Sequence, residues 1–222
     1  MSPHENAAPP RPLRKDAARN RELLIAAART VFAQRGFAAT LDDVAHEAGL
    51  GVGTAYRHFA NKHELATAVA QQSVDRVSAR VRELLTADDP WQAVVDFFEF
   101  AMEMQSQDRG VRETLTGSYV WEEFQPQFNV AFEPLEKLVQ QAQDAGVVRE
   151  DVTASDIGVL VMMLCALGEI ADYAHPDLIR RYLTMTLEGL KPGGAPLPVP
   201  PLDTEQLFTT IQKHKTAAVR PR

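Results

Sequence analysis

The 222-residue sequence holds one cysteine, Cys165, so no disulfide can close within the chain. Cys165 sits in an apolar stretch without a charged neighbour, the setting of an inert core thiol rather than an activated nucleophile. Long hydrophobic runs are also missing. The longest, Ile157 to Gly168, falls short of the roughly 18 residues a membrane span requires and reads as a buried helix. The N-terminus, MSPHENAAPPRPLRKDAARN, lacks the apolar centre of a secretory signal. These absences lead to the expectation of a soluble, cytoplasmic protein with no membrane partner. There is no HExxH and no Cys/His cluster, so no metal site is expected. Gly49, Gly51 and Gly53 hint at a phosphate loop, but such loops follow a strand and end in Gly-Lys-Ser/Thr, and neither feature is present. The carboxylates fall mostly on the solvent faces of predicted helices. No catalytic residue and no cofactor are therefore expected, and an enzyme is the most distant reading. Alternation of the β type and internal repeats are absent too, and the chain reads as all-α.

Positive charge is scarce overall, at a net −7, which by itself argues against a nucleic-acid partner. Its distribution reverses that argument. Residues 1–62 carry nine Lys/Arg against six Asp/Glu, a net +3, and the remainder carries 14 against 24, a net −10. A basic head on an acidic body fits a DNA-reading domain joined to a sensing or dimerising one.

What is present centres on Thr40 to Lys62, TLDDVAHEAGLGVGTAYRHFANK. Thr40 is placed to cap a helix, with Asp43 three residues on in capping-box position. Val44, Ala45 and Ala48 give that helix an inward face. Gly49 falls where the chain must turn left-handed, a conformation that glycine adopts without strain. A second short helix is predicted through Thr54 to Phe59. Helix, tight turn and helix make a helix-turn-helix. Val52, Gly53 and Thr54 stand at the start of the second helix, where side chains meet base edges in the major groove. Val52 and the Thr54 methyl suit a thymine methyl, and Arg57 suits guanine or phosphate. His58 fits core and contact equally, whereas Phe59 reads as core.

The stretch resembles the DNA-binding domain of the tetracycline-repressor (TetR) family of bacterial transcription regulators. Thr40, Val44, Ala45, Ala48-Gly49, Gly53-Thr54, Tyr56, His58-Phe59 and Lys62 match its pattern. Gly51 stands where serine is common, and Ala55 where a larger apolar residue is common. The resemblance implies that Thr40, Tyr56 and Lys62 grip the DNA backbone. It also implies a homodimer on a palindromic double-stranded DNA operator, released by a small-molecule effector.

Residues 1–15, with Pro3, Pro9, Pro10 and Pro12 followed by Arg14 and Lys15, are expected to form a disordered basic arm. A first helix from about Asp16, ended by Gly36, completes a three-helix head over 16–62. Asn61 then caps a long helix to about Thr86, a rod linking head to body. The body, 63–191, is expected to be a helical effector-binding and dimerisation bundle, giving about nine helices in all. Trp91, Phe97, Phe98, Met102, Trp121, Phe124, Phe128, Met162 and Met163 are the candidates to line a pocket for an apolar or aromatic effector. Small residues Gly158, Cys165, Ala166 and Gly168, with Tyr182, Met185, Thr186 and Gly189, suggest a four-helix dimer interface. Asp177 is predicted to cap the last long helix, and 192–222 reads as a proline-rich linker and tail. A second reading is a helical ligand- or partner-binding protein without sequence-specific DNA binding.

Overall fold

The computed structural model describes residues 12–107, 121–174, 177–207 and 209–210, without the side chains of 12–14, 37, 105–107, 121–131 and 169–174. The elements are α1 (Pro12–Arg35), a 3-10 turn (Gly36–Ala38), α2 (Leu41–Glu47), α3 (Val52–His58), α4 (Lys62–Leu84), α5 (Pro90–Gln107), α6 (Trp121–Asp144), α7 (Ala154–Ala174) and α8 (Leu178–Leu190). No strand occurs among the described residues, as the all-α expectation requires.

Helix α1 begins at Pro12 rather than near Asp16. Proline has no N–H to lose at a first helical position and its φ is already helical. Arg14 and Lys15 therefore lie within the first turn of α1, and the part of the expected arm before Pro12 lies outside the described residues. Leu24, Ile25, Ala28, Val31 and Phe32 form its buried stripe, and Gly36 ends it at φ 60°.

Two cores are strung on α4. The first combines the α1 stripe with Leu41, Val44, Ala45, Ala55 and Phe59, and with Leu65 to Ala70 from the opening turns of α4. The head's core thus continues past residue 62 into the rod. The second core gathers Val81 and Leu84 from the far end of α4 with Phe97 and Phe98 of α5, Leu135 and Leu138 of α6, and Ile157 and Leu164 of α7. A polar tie reinforces the head-to-rod seam: Arg29 donates to Gln72 Oε1 at 3.1 Å, and Gln72 donates to Glu22 at 2.7 Å. Each end of one rigid helix is embedded in a different core, so a tilt imposed on the body must be felt by the head.

The caps follow local chemistry. Asn61 Oδ1 accepts from the Glu64 N–H at 2.9 Å, and Asp89 Oδ1 accepts from the N–H groups of Trp91 and Gln92. Gly146 takes φ 69° after α6. Asp177 departs from expectation. It occupies the N-cap position of α8 but makes no cap hydrogen bond, because its own backbone is helical (φ −86°, ψ −1°) and its carboxylate turns to Arg180 at 3.9 Å. The proline-rich segment after α8 also departs from the expected linker. Leu197 N–H donates to Asp151 at 2.8 Å, Ser155 Oγ donates to the Leu202 carbonyl at 2.6 Å, and Leu207 is buried.

Among the described residues no helix is long and apolar enough to cross a membrane, and no group of His, Cys, Asp and Glu could hold a metal ion.

Candidate nucleic-acid interface

Helix α2 starts with a complete capping box. Thr40 Oγ1 accepts from the Asp43 N–H at 3.1 Å, and Asp43 Oδ2 accepts from the Thr40 N–H at 2.9 Å and from its hydroxyl at 2.7 Å. The single hydroxyl proton of Thr40 is thus committed to the cap on Asp43. These bonds from Thr40, with the Arg35 guanidinium at 2.8 Å, hold the Asp43 carboxyl below the usual carboxylate range. Because the folded value lies below the unfolded one, the ionised box stabilises the head fully above the ordinary carboxylate range. That contribution disappears as pH falls through the folded value. Asp43→Ala is therefore expected to melt earlier than the parent at neutral pH, with the gap closing in acid; melting curves across pH check this.

The turn closes on Gly49 at φ 66°, where Gly49 N–H reaches the His46 carbonyl at 3.0 Å and Leu50 N–H the Ala45 carbonyl at 2.9 Å. Helix α3 begins at Val52 after the N-cap Gly51, whose carbonyl accepts from Thr54 and Ala55 and which supplies no side-chain cap. The missing hydroxyl at Gly51 thus costs α3 a cap, as its sequence implies.

Two residues seat α3: Ala55 is completely buried and Phe59 nearly so. Ala55 is flush against the first core, so the small residue there is a packing requirement. With these inside, Gly53, Tyr56 and Arg57 are exposed on the opposite side. Val52 is shared, packing partly against the first core. Arg57 folds back along its own helix, Nε donating to the Gly53 carbonyl at 3.0 Å and NH2 to Thr54 Oγ1 at 3.2 Å. This places a fixed positive charge beside Gly53 and Thr54, two of the three residues expected at base edges. Thr54 accepts through its oxygen and keeps its own proton to donate. His58 is half-buried at the end of α3, and Lys62 is the first residue of α4, half-buried after the Asn61 cap.

Tyr56 has a partner the motif did not reveal. The Asp42 carboxylate of α2 lies near enough that its charge is the largest cause of a raised tyrosine pKa.

The effector candidates separate in the structure. Phe97 and Phe98 meet edge to face at 6.2 Å inside the second core. Trp91 and Met102 are half-buried at its margin, and Lys191 Nζ lies 5.1 Å from the Trp91 ring centre. The side chains of Trp121, Phe124 and Phe128 lie outside the described residues. Met162 and Met163 are exposed, at 43% and 63%, because Ile157 and Leu164 take the inward side of α7 and leave these two opposite. A cavity of about 540 Å³ does exist in the body, and none of the six candidates with described side chains lines it.

Comparison with known proteins places this geometry. A family model described as bacterial regulatory proteins, tetR family, matches residues 24–69. One described as transcriptional regulator SbtR-like, C-terminal domain, matches residues 89–192. The HTH-type transcriptional activator FasR of Mycolicibacterium smegmatis is 39% identical over 110 residues, 47% of this chain and 48% of that protein. The HTH-type transcriptional repressor KstR2 of the same organism is 36% identical over 88 residues, 39% and 43% of the two chains. The chain thus spans about half the length, or less, of these curated relatives. A crystal structure of the TetR transcription regulatory protein from Mycobacterium vanbaalenii superposes with a TM-score of 0.61 at 31% identity, over 81% of this chain and 99% of that one. Head, rod and body agree with these matches, and the chain belongs to the TetR family of bacterial transcription regulators.

Proposed function

We propose that the protein is a ligand-responsive transcriptional repressor that binds a near-palindromic operator as a homodimer and is released by a small apolar or aromatic molecule. The observation that carries the reading is the seating of α3. Ala55 and Phe59 are locked into the head's core, so Gly53, Thr54, Tyr56 and Arg57 are presented together on a rigid element. Tyr56, Arg57 and Lys62 supply phosphate contacts, and Val52, Gly53 and Thr54 face the base edges.

Dimerisation is supported by the apolar side chains that α7 and α8 leave exposed: Met162, Met163, Tyr182 and Met185. Two such helices from each chain would bury these side chains in a four-helix seam. An effector that prefers the body conformation with wrongly spaced heads would release DNA; coupling of about 1–3 kcal/mol is typical. Repression is the sign borne by KstR2 among the relatives, and activation the sign borne by FasR. Transcription in vitro from an operator-bearing promoter should fall on adding the protein; a rise would reverse the sign.

The phosphate role is tested at Lys62. Lys62→Ala should weaken all duplexes alike and flatten the dependence of log affinity on log salt by about one. Unchanged affinity across several salt concentrations would remove Lys62 from the interface.

A further inference from the structure

The chain after α8 does not leave the body. It runs back over α7 and α8 as a strap held by bonds to residues some 46 positions away. Arg149 donates to the Ala195 carbonyl at 2.7 Å while pairing with Asp151, whose other bond takes the Leu197 N–H at 2.8 Å. Ser155 holds the Leu202 carbonyl. Prolines at 196, 198, 200 and 201 carry no N–H, so the strap has few donors and its inner surface is apolar. Between strap and helices lies the cavity of about 540 Å³.

We infer that this cavity is a binding site for a small, uncharged apolar molecule, roofed by the strap and latched by Arg149 and Asp151. It is separate from the α5–α6 region and does not depend on whether the heads read DNA. The size falls within the ~300–1,000 Å³ of small-molecule sites. The walls are apolar: Val152, Val159 and Leu160 from the α7 side, Leu190 from α8, and Leu197 and Val199 from the strap. Thr186 adds a hydroxyl to the lining, and the charged groups at the rim are already engaged. Arg149 and Asp151 neutralise each other, Ser155 serves Leu202, and Asp156 accepts from the N–H and hydroxyl of Thr153. A charged guest would find no free counter-charge and would be desolvated without compensation, whereas an apolar guest restores the dispersion contacts that the empty space forgoes.

The test uses the full chain and the uncharged fluorophore N-phenyl-1-naphthylamine. Fluorescence should rise saturably with one site per chain. Leu197→Gln, which replaces an apolar part of the roof at a half-exposed position and keeps the backbone bond to Asp151, should weaken the probe several-fold with little change in melting temperature. Asp151→Asn, which unfastens the latch but leaves the walls, should speed probe dissociation several-fold. Absence of saturable binding to the parent, parental affinity in Leu197→Gln, or an unchanged dissociation rate in Asp151→Asn would each overturn the inference.

Discussion

Gly53→Glu is expected to lower operator affinity about a hundredfold or more while leaving the head folded, because like charges forced together at an interface cost several kcal/mol. Within the protein the change is benign. Gly53 is exposed, and a Cβ there would meet no atom within 4 Å. Replacing glycine inside a helix gains roughly 1 kcal/mol of propensity, and a carboxylate in the first turn of α3 faces the positive end of the helix dipole. Against DNA the same carboxylate stands where a base edge or phosphate must come. It would also draw off the Arg57 guanidinium, which already sits on the Gly53 carbonyl. Gly53→Gln, similar in size but neutral, should retain much more affinity, which separates charge from bulk. Fluorescence anisotropy with an operator duplex, paired with thermal melts, reads both effects. If the glutamate variant binds like the parent, the first turn of α3 does not lie in the groove.

The second large effect is on stability. Phe59→Ala should destabilise the head by about 3–5 kcal/mol, the usual range for truncating a buried phenylalanine. Phe59 is 1% exposed and closes the end of α3 against α1 and α4. The Arg21 guanidinium lies 5.2 Å from its ring centre, adding a cation–π contact worth about 0.5–1 kcal/mol at an exposed site. Because the second core shares only α4 with the first, the loss should be confined to the head. Calorimetry should show an early transition for the head ahead of that of the body. A single transition at the parental temperature would mean that Phe59 does not hold the head together.

The features that were legible in the sequence are those decided within one helical turn. The Thr40–Asp43 box, the Asn61 cap and the left-handed glycine at 49 depend on residues no more than a few positions apart, and so are written in the local order of the chain. The start of α1 was harder because Pro12 both ends a proline-rich segment and suits a first helical position. Asp177 shows that a capping residue type needs the matching backbone. Its φ and ψ are already helical, and the carboxylate cannot turn back on the next turn's N–H groups.

What depended on distant partners was hidden. An almost continuously apolar α7 carries no phase, so nothing in its pattern told that Met162 and Met163 face outward while Ile157 and Leu164 face the core. Docking of the strap rests on Asp151 and Ser155, far upstream of the prolines they hold. In the head, the match at Tyr56 does not show the nearby Asp42 charge that raises its pKa, because the two sit on different helices.

The account stands most directly on how two heads are held apart. Selection from a random duplex pool with the full chain, followed by stoichiometry on the enriched sequence, measures this. Two inverted half-sites, about 34–36 Å or a multiple of it between centres and bound by two chains, are predicted. No enriched sequence even at low ionic strength, or a lone half-site bound by one chain, would contradict it.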